Sequence, residues 1–314
     1  MNDLKNKLSI FLILFAVFFI SCNSKLENPQ NKEVETTKME VKKDIDLSIM
    51  TTNKLVYDMV KNIVKNRHNV EYMFNSRDNE LNFQFTDDSL NNISKKDLFI
   101  YLGADFEPWA NSFINNLNKS NVGVINVSRG VNLISYNKIV KYKENVLKDN
   151  PYYLLNLDNY KIALMNIKNA VQDKDPKNRS IYEKNFAETL KNIENQQKDL
   201  KSIRDSLSDY TFIVMEDELS YFVKYNDFKV IDVSKEQSSV DVNKKANIEA
   251  KLKDSKNLIL LYNDGSLTKS YEDLIKKYNI NVAAIKLYNG EDKYEDVLTY
   301  NIESLKSLSQ NIKK

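Results

Sequence analysis

Residues 175–208 read DPKNRSIYEKNFAETLKNIENQQKDLKSIRDSLS, and the rest of the chain is organised around this stretch. Its apolar side chains recur at steps of three and four residues, which places them on one face of a helix. These side chains are Tyr182, Phe186, Leu190, Ile193, Leu200, Ile203 and Leu207. The other positions are mostly charged or amide residues, so they are expected to meet water. Asp175 is suited to capping the helix start, and Pro176 is suited to the first position.

The length of this predicted helix indicates a plan with two lobes. At about 1.5 Å per residue it would extend for roughly 50 Å, which is about the width of a domain or more. The segments on both sides alternate predicted strands with helical stretches, so a rigid helix joining two lobes is favoured over a long surface helix within one domain. We therefore predict an N-terminal lobe over residues 44–174, a linking helix over 175–208 and a C-terminal lobe over 209–314.

Short apolar runs predict the strands of both lobes. They lie at residues 46–50, 70–74, 98–102, 124–127, 210–215, 228–233, 258–262 and 281–287. Strands that alternate with helices favour an α/β fold with two mostly parallel, four-stranded sheets. Ligands of such sheets bind beyond the carboxyl ends of the strands. His68 lies at the opposite end of its strand and is predicted to be a solvated loop residue.

Composition narrows the classes of function. The chain of 314 residues carries 46 Lys and Arg against 44 Asp and Glu, so its net charge of +2 gives no bias toward nucleic acid. Its 5 glycines form neither G-x-G-x-x-G nor G-x-x-x-x-G-K-[ST], the phosphate-binding motifs. One cysteine and one histidine exclude an intrachain disulfide and multi-histidine or cysteine-rich metal sites. They leave little room for Ser-His-Asp catalysis, so an enzyme is the least favoured class.

The N-terminus predicts export and a lipid anchor. Two lysines precede the apolar run LSIFLILFAVFFI at residues 8–20, which is too short to span a bilayer comfortably. The run ends in FISC at residues 19–22, which resembles a bacterial lipobox with Phe where Leu is usual. We predict a signal over residues 1–22, lipid on Cys22, a flexible tether over 23–43 and a location on the extracytoplasmic face of the cell membrane. An ordinary secretory signal or a short membrane anchor is the alternative.

Residues 93–109 read ISKKDLFIYLGADFEPW and carry a specific resemblance. They resemble the segment L-S-K-A-D-h-h-h-x-x-G-x-x-x-E-x-W of the solute-binding lipoproteins of bacterial zinc and manganese ABC transporters. Asp97, Gly103, Glu107 and Trp109 match that pattern. Further matches follow in the same order in NPYYLLNL, DKDPKNRSIYEKN, MEDELSYFVKYNDFKV and YEDVLTYNIESLKSL. The resemblance therefore extends from the first predicted strand to the end of the chain, and it agrees with the two-lobe plan.

The resemblance implies a divalent cation, zinc or manganese, held between the lobes by three histidines and one carboxylate. Position by position, the histidine places fall on Leu81, Tyr152 and Glu216, and the carboxylate place falls near Asn289. Leucine cannot coordinate a metal, and a phenol is a poor ligand at neutral pH. The candidate metal ligands are therefore Glu216, Asn289 and Tyr152, with Glu80 beside Leu81 as a further candidate. Such an oxygen-only set suits calcium, magnesium or weakly bound manganese better than zinc.

Two functions follow from the resemblance. The leading hypothesis is a monomeric, membrane-anchored lipoprotein that captures a metal ion for an ABC importer and docks on its permease in the membrane. The alternative is a diverged paralogue that has lost transition-metal binding and acts as an accessory or adhesin-like lipoprotein, or that binds another small ligand. Loss of the histidines favours the alternative, because a fold does not carry its function when the site has changed. In that case Leu81 and Tyr152 would pack the cleft, and residues 216–218 would be a solvated acidic turn.

Overall fold

Parallel strands and helices alternate in both halves of the chain, as the apolar runs predict. The computed structural model describes residues 44–117, 120–143, 145–234 and 243–312. The predicted export signal, the lipid anchor on Cys22 and the tether lie outside the described residues. Within the described part, no helix is long and apolar enough to cross a bilayer.

The N-terminal sheet contains four parallel strands in the spatial order β2-β1-β3-β4. They are β1 (Ser48–Asn53), β2 (Asn69–Phe74), β3 (Leu98–Tyr101) and β4 (Gly123–Asn126). The connecting segments contain α1 (Lys54–Val64), α2 (Arg77–Leu81), α3 (Asp87–Ser94) and α4 (Ala110–Leu117). The two central strands are mostly buried, whereas the edge strands are more exposed. This contrast is expected when helices cover both faces of a parallel sheet.

A two-stranded antiparallel hairpin follows the first sheet, and it is absent from the predicted elements. It consists of β5 (Ser135–Tyr142) and β6 (Asn145–Asp149), with Lys141 opposite Val146. Half-buried and exposed side chains alternate along β5, as a strand with one covered face requires. Lysines in this segment gave it a loop-like composition, which concealed the period of two.

Two long helices follow one another between the two sheets. They are α5 (Leu157–Lys174) and α6 (Arg179–Ser206), and α6 is the predicted linking helix with a length of about 42 Å. It packs against α1, α5 and the C-terminal helix of the chain. Most of its predicted apolar stripe is buried, while Phe186 and Leu190 are partly buried. The prediction of two α/β lobes joined by one long helix is confirmed.

The C-terminal sheet repeats the topology of the first, with the spatial order β10-β9-β7-β8. Its strands are β7 (Thr211–Val214), β8 (Val230–Asp232), β9 (Leu258–Tyr262) and β10 (Asn281–Ala284). Its helices are α7 (Ser220–Tyr225), α8 (Lys244–Leu252), α9 (Ser266–Ser270), α10 (Glu272–Lys277) and α11 (Tyr294–Ile312). All its strands are parallel, so after each strand the chain returns to the end of the sheet at which that strand began.

One apolar core extends through both lobes. Residues 45–314 form a single compact unit. Its main apolar cluster includes side chains of the first sheet, the linking helix and the second sheet. The rings of Tyr160 on α5 and Tyr294 on α11 stack with their centroids 3.9 Å apart. Because this core is continuous, we expect the lobes to move little against each other. The lobe boundaries at residues 174 and 209 stay a prediction.

The start of the linking helix differs from the prediction. A 3-10 turn at Pro176–Asn178 precedes α6, and Pro176 occupies its first position, where no N–H is required. Asp175 is fully buried and makes no capping bond to the backbone. Its Oδ2 accepts hydrogen bonds from the Tyr182 hydroxyl at 2.5 Å and from Asn178 Nδ2 at 2.7 Å. Asp175 therefore fixes a side chain of the helix and does not cap its backbone.

The prediction that His68 is solvated is wrong. Its side chain is 0% exposed, and its Nε2 lies 2.7 Å from the Tyr182 hydroxyl. The Leu47 N–H donates to Nδ1 at 3.3 Å, so the proton of the neutral imidazole lies on Nε2. His68 then donates to Tyr182, which donates to Asp175. This relay links the start of the first sheet to the start of α6, and burial lowers the pKa of His68 below its usual value.

We expect the relay to make part of the stability sensitive to acid. The folded-state pKa of His68 lies below its unfolded value of about 6.5, so the unfolded chain binds more protons and the free energy of unfolding falls as the pH drops below about 6.5. His68→Asn removes this titration and tolerates the left-handed backbone at residue 68 (φ 80°). Urea unfolding of both chains between about pH 7.5 and pH 5 measures the effect. The stability advantage of the histidine should shrink toward acid, and a difference independent of pH would contradict the relay.

Candidate functional site

Both sheets place a glutamate where their strand order reverses. In each sheet the first strand lies between the second and the third, so the order reverses at that first strand. In open α/β sheets, ligands bind beyond the carboxyl ends of the strands at such a point. Glu107 lies there in the N-terminal lobe, and Glu216 lies there in the C-terminal lobe. In both lobes the carboxylate is held by backbone N–H groups near the end of the third strand.

Glu216 joins the ends of β7 and β9. Its Oε2 accepts the Asn263 N–H at 2.6 Å, and its Oε1 accepts the Asp264 N–H at 3.2 Å. Burial raises the pKa of Glu216, although these two N–H bonds favour the ionised form. The position at a strand end agrees with the sequence prediction, but backbone donors already occupy the carboxylate.

Glu107 holds the corresponding turn in the N-terminal lobe. Its Oε1 accepts the Leu102 N–H at 2.8 Å and the Thr52 hydroxyl at 2.6 Å, while its Oε2 accepts the Gly103 N–H at 2.9 Å. Gly103 has φ 77°, and a Cβ there would lie 2.1 Å from Asn126 Oδ1. Burial, together with the nearby charge of Glu80, raises the pKa of Glu107 to about 7. Two residues of the matched segment therefore build the turn after β3.

Tyr152 and Glu216, two of the predicted ligands, line the same cavity. The cavity has a volume of about 330 Å³ and takes residues from both lobes. Its other lining residues are Lys138, Met215, Glu218, Asn263, Asp264, Leu267 and Leu287. Burial raises the pKa of Tyr152, so its phenol is neutral at physiological pH. A neutral phenol is a weak metal ligand.

The other two family positions lie outside the residues that line this cavity. Asn289 is exposed, and its Oδ1 accepts the Glu291 N–H at 2.9 Å within a local turn. Leu81 is half-buried, and its carbonyl oxygen accepts the Tyr142 hydroxyl at 2.7 Å. The structure thus brings together two of the four positions that the resemblance implies.

Arg77 lies near the cleft, and the sequence analysis did not predict it. One of its guanidinium nitrogens lies 2.6 Å from Glu80 Oε2, and another donates to the Phe106 carbonyl at 2.7 Å. The guanidinium also lies 3.8 Å from the centroid of the Phe106 ring. Glu80 is only 1% exposed, and its Oε1 accepts Asn53 Nδ2 at 2.9 Å. The spacing of three residues between Arg77 and Glu80 on a helix was the available signal.

The positive charge of Arg77 lies close to two of the family ligand positions. Arg77 and Leu81 share the short helix α2. At Tyr152, burial raises the pKa and the guanidinium of Arg77 opposes that rise. The backbone N–H of Arg77 donates to Glu291 Oε1 of the C-terminal lobe at 2.9 Å. A protein cation therefore lies in the region where the resemblance places a metal ion.

A second cation, Lys138, reaches across the cleft from the hairpin. Its Nζ lies 2.8 Å from Glu218 Oε1 and 3.0 Å from Oε2. The neighbouring Asp217 is 2% exposed, so the solvated acidic turn considered as the alternative does not include this residue. Asp217 accepts the backbone N–H groups of Asn137 at 2.7 Å and Lys138 at 3.1 Å. The carboxylates of the cleft are thus bonded to donors of the protein itself.

No group of three His, Cys, Asp or Glu side chains within the described ranges is arranged to hold a metal ion. Glu80 is bonded to Arg77, Glu218 to Lys138, and Glu216 to backbone N–H groups. Carboxylate oxygens that could ligate a metal are present, but each is engaged in an ion pair or a turn. The negative charges of the cleft are therefore balanced by groups of the chain itself.

The family follows from comparison with known proteins. The family model described as zinc-uptake complex component A, periplasmic, matches residues 49–308. The chain belongs to this family. Its curated relatives are substrate-binding lipoproteins of metal ABC transporters, so the family is one of solute-binding proteins and not of enzymes.

Two relatives illustrate the extent of the similarity. A metal ABC transporter substrate-binding lipoprotein of Lactococcus lactis is 28% identical over 204 residues, which cover 63% of this chain and 60% of that protein. The metal ABC transporter substrate-binding lipoprotein ScbA of Streptococcus cristatus is 23% identical over 313 residues, 94% of this chain and 96% of that protein. The second alignment includes almost the whole of both chains.

Solved structures share the fold. The metal-dependent lipoprotein YcdH of Bacillus subtilis superposes with a TM-score of 0.65 at 19% identity, covering 83% of this chain and 99% of that one. Zn(II)-bound AdcA of Streptococcus pneumoniae gives a TM-score of 0.62 at 16% identity, covering 86% of this chain and 58% of that one. At such identities the likeness establishes the two-lobe α/β architecture alone.

We expect Arg77→Met to destabilise the chain by about 3–5 kcal/mol, because removing one partner of a buried ion pair leaves the other unpaired. Arg77→Met combined with Glu80→Gln should recover much of the loss, since neither charge of this pair then remains. Denaturant unfolding measures these changes. Lys276→Met, which breaks an exposed pair with Glu272, is the matched control and should have little effect. Equal effects of Arg77→Met and the control would show that the buried pair carries no special weight.

Proposed function

We propose that this chain is a lipid-anchored family member whose interlobe site has exchanged transition-metal capture for an internal ion pair. It would be held by Cys22 on the extracytoplasmic face of the cell membrane. It would act there as a monomeric accessory lipoprotein beside an ABC permease. The observation that carries the proposal is the guanidinium of Arg77, paired with the buried Glu80 beside the first family ligand position.

Electrostatics supports this proposal. An arginine does not lose its proton in proteins, so its charge is permanent at physiological pH. Near a protein surface, unit charges about 4 Å apart interact by about 4 kcal/mol, and a divalent ion doubles this value. A metal ion near Arg77 would therefore meet repulsion of a size that only strong ligands offset. The ligands available at the family positions are weak.

The donor chemistry leads to the same conclusion. Zinc sites in proteins use thiolate, imidazole and carboxylate ligands. The family positions of this chain supply a hydrocarbon at Leu81, a neutral phenol at Tyr152 and a carboxylate at Glu216 that already accepts two backbone N–H bonds. Asn289 is turned into its own loop. Three strong ligands for a transition metal are not offered at one point.

A second candidate is capture of a hard divalent cation or a small polar solute in the cavity between the lobes. The observation that favours it is the composition of that cavity, where Glu216, Glu218 and Asp264 outnumber the single cation Lys138. Calcium and manganese accept carboxylate oxygens, so they are the cations that suit this cavity. Such a ligand would compete with Lys138 for Glu218.

We expect zinc and manganese to leave the thermal unfolding of the purified chain unchanged. Metal at about 100 times a dissociation constant would add about 2.7 kcal/mol to the stability of a binding protein. For a domain of this size that gain raises the melting temperature by several degrees, about 2–4 °C for each kcal/mol. Scanning calorimetry with micromolar metal, together with elemental analysis, measures the outcome. Stoichiometric zinc or manganese with a raised melting temperature would contradict the proposal.

Two variants separate the candidates. If the cavity takes calcium or manganese, Glu216→Ala should abolish the uptake and Lys138→Met should strengthen it, because a competing cation is removed. If uptake is present and both variants leave it unchanged, the ion binds elsewhere and the second candidate fails. Lys96→Met is the matched control, because it removes a lysine paired with Glu71, and neither residue lines the cavity.

A further inference from the structure

The outer face of the hairpin carries the two most exposed large aliphatic side chains among the described residues. Ile139 on β5 is 77% exposed, and Val146 on β6 is 62% exposed. Lys141 and Lys148 share this face and are also exposed. We call these four residues the hairpin face. Large apolar side chains that cluster with lysines on the surface indicate a contact with another molecule.

Strand pairing and exposure place these four side chains on the outer side of the hairpin. Lys141 lies opposite Val146, so one lysine and one aliphatic side chain share a cross-strand pair. Side chains alternate between the faces of a strand, and Ile139 and Lys148, each two residues from a member of this pair, are exposed like it. The register shifts between Ser135 and Val140, so Ile139 lies beside an irregularity of the pairing.

The hairpin presents this face in a fixed orientation, because its inner face is bonded to both lobes. The Tyr142 hydroxyl donates to the Leu81 carbonyl oxygen of the N-terminal lobe, and Lys138 pairs with Glu218 of the C-terminal lobe. The backbone N–H of Lys148 donates to Asp105 Oδ2 at 3.0 Å. The outer face of the hairpin is therefore held in place by contacts to both lobes.

The hairpin sequence 135–149 carries more lysines than acidic residues. Neither Lys141 nor Lys148 has a carboxylate within ion-pair distance in the described parts of the chain, whereas surface lysines such as Lys96, Lys168 and Lys277 do. Lys143 in the hairpin turn lies over the Tyr142 ring at 5.1 Å and adds a further cation. The carboxylate of Asp105 accepts the backbone N–H groups of Lys148 and Asp149. A partner that fits this surface is anionic and has an apolar layer beneath its charge.

We propose that the hairpin face rests on the anionic phospholipid headgroups of the membrane that holds the anchor. This inference depends on the proposed anchoring at Cys22. Each lysine near an anionic leaflet contributes about a fivefold gain in affinity, and Ile139 and Val146 enter the interfacial layer. Such a contact is weak by itself. A tethered domain needs no more, because anchoring raises its effective concentration at the bilayer to the millimolar range.

The contact would also orient the cleft. Lys138, on the inner face of the same strand, lines the cavity between the lobes. A hairpin lying on the headgroups would hold that cavity close to the bilayer surface, where a permease opens. The same weak contact would restrict the tumbling of the domain about its anchor.

The test is co-sedimentation of residues 45–314, which form a compact unit with their own core, with lipid vesicles. Because the untethered contact is weak, the lipid concentration is raised to about 10 mM, the effective range that anchoring supplies. We expect binding to phosphatidylcholine vesicles that contain about 30% phosphatidylglycerol, little binding to phosphatidylcholine alone, and weaker binding as salt is raised. Lys141→Glu with Lys148→Glu should lower the affinity at least 25-fold. Ile139→Ser with Val146→Ser should lower it about tenfold. Circular dichroism confirms that each variant is folded.

Matched controls separate location from overall charge. Lys201→Glu with Lys253→Glu gives the same net charge as the hairpin double variant and alters exposed lysines elsewhere, so it should bind like the parent chain. Val282→Ser is the control for an exposed aliphatic side chain. Equal losses in the control and hairpin variants, or no binding to anionic vesicles, would overturn the proposal. Binding that requires a membrane protein in the bilayer would also overturn it, in favour of a protein partner. The metal titration that tests the proposed function does not involve the hairpin face, so its result is independent of the vesicle experiment.

Discussion

The carboxylate of Asp217 joins the two lobes, and the shape of the cleft depends on it. Buried at the end of β7, it accepts two backbone N–H groups of β5 and the side-chain amide of Asn137 at 2.9 Å. Its own carbonyl oxygen accepts Asn150 Nδ2 at 2.6 Å. A buried donor left without a partner costs about 1–3 kcal/mol, so these hydrogen bonds oppose separation of the lobes at Asp217. It fixes the strand that carries Lys138 across the cavity.

Local pattern was sufficient for the strands of the two parallel sheets and for the linking helix, and it was insufficient where partners are distant in sequence. The apolar runs located the strands, and a helical period located α6. Burial of His68 could not be read from its loop, because its partner Tyr182 lies 114 residues away. The same holds for Asp175, whose role as an anchor for Tyr182 depends on tertiary packing. The hairpin escaped prediction because cross-strand pairing and contacts to both lobes, and not composition, make it a strand pair.

The candidate site shows a similar division. Carrying positions over from the family located Tyr152 and Glu216 at the cavity, because both lie near strand ends that the fold fixes. The resemblance could not predict the orientation of the Asn289 side chain, because its Oδ1 bonds to the Glu291 N–H within a local turn. Arg77 and Lys138 supply the positive charges near the cleft, and none of the sequence segments that resemble the family contains them. Glu107 and Glu216 show that the two lobes use one turn design at equivalent ends of their sheets.

The single tryptophan of the chain, Trp109, does not line the cavity between the lobes. Trp109 is buried in a cluster with Phe74, Phe83 and Phe113, at ring distances of 5.7, 4.8 and 5.6 Å. None of these aromatic residues lines the cavity between the lobes. The tryptophan fluorescence of this protein therefore reports the packing of this aromatic cluster and not the occupancy of the cleft. Spectroscopy of the cleft requires an introduced fluorophore or a signal from its tyrosines.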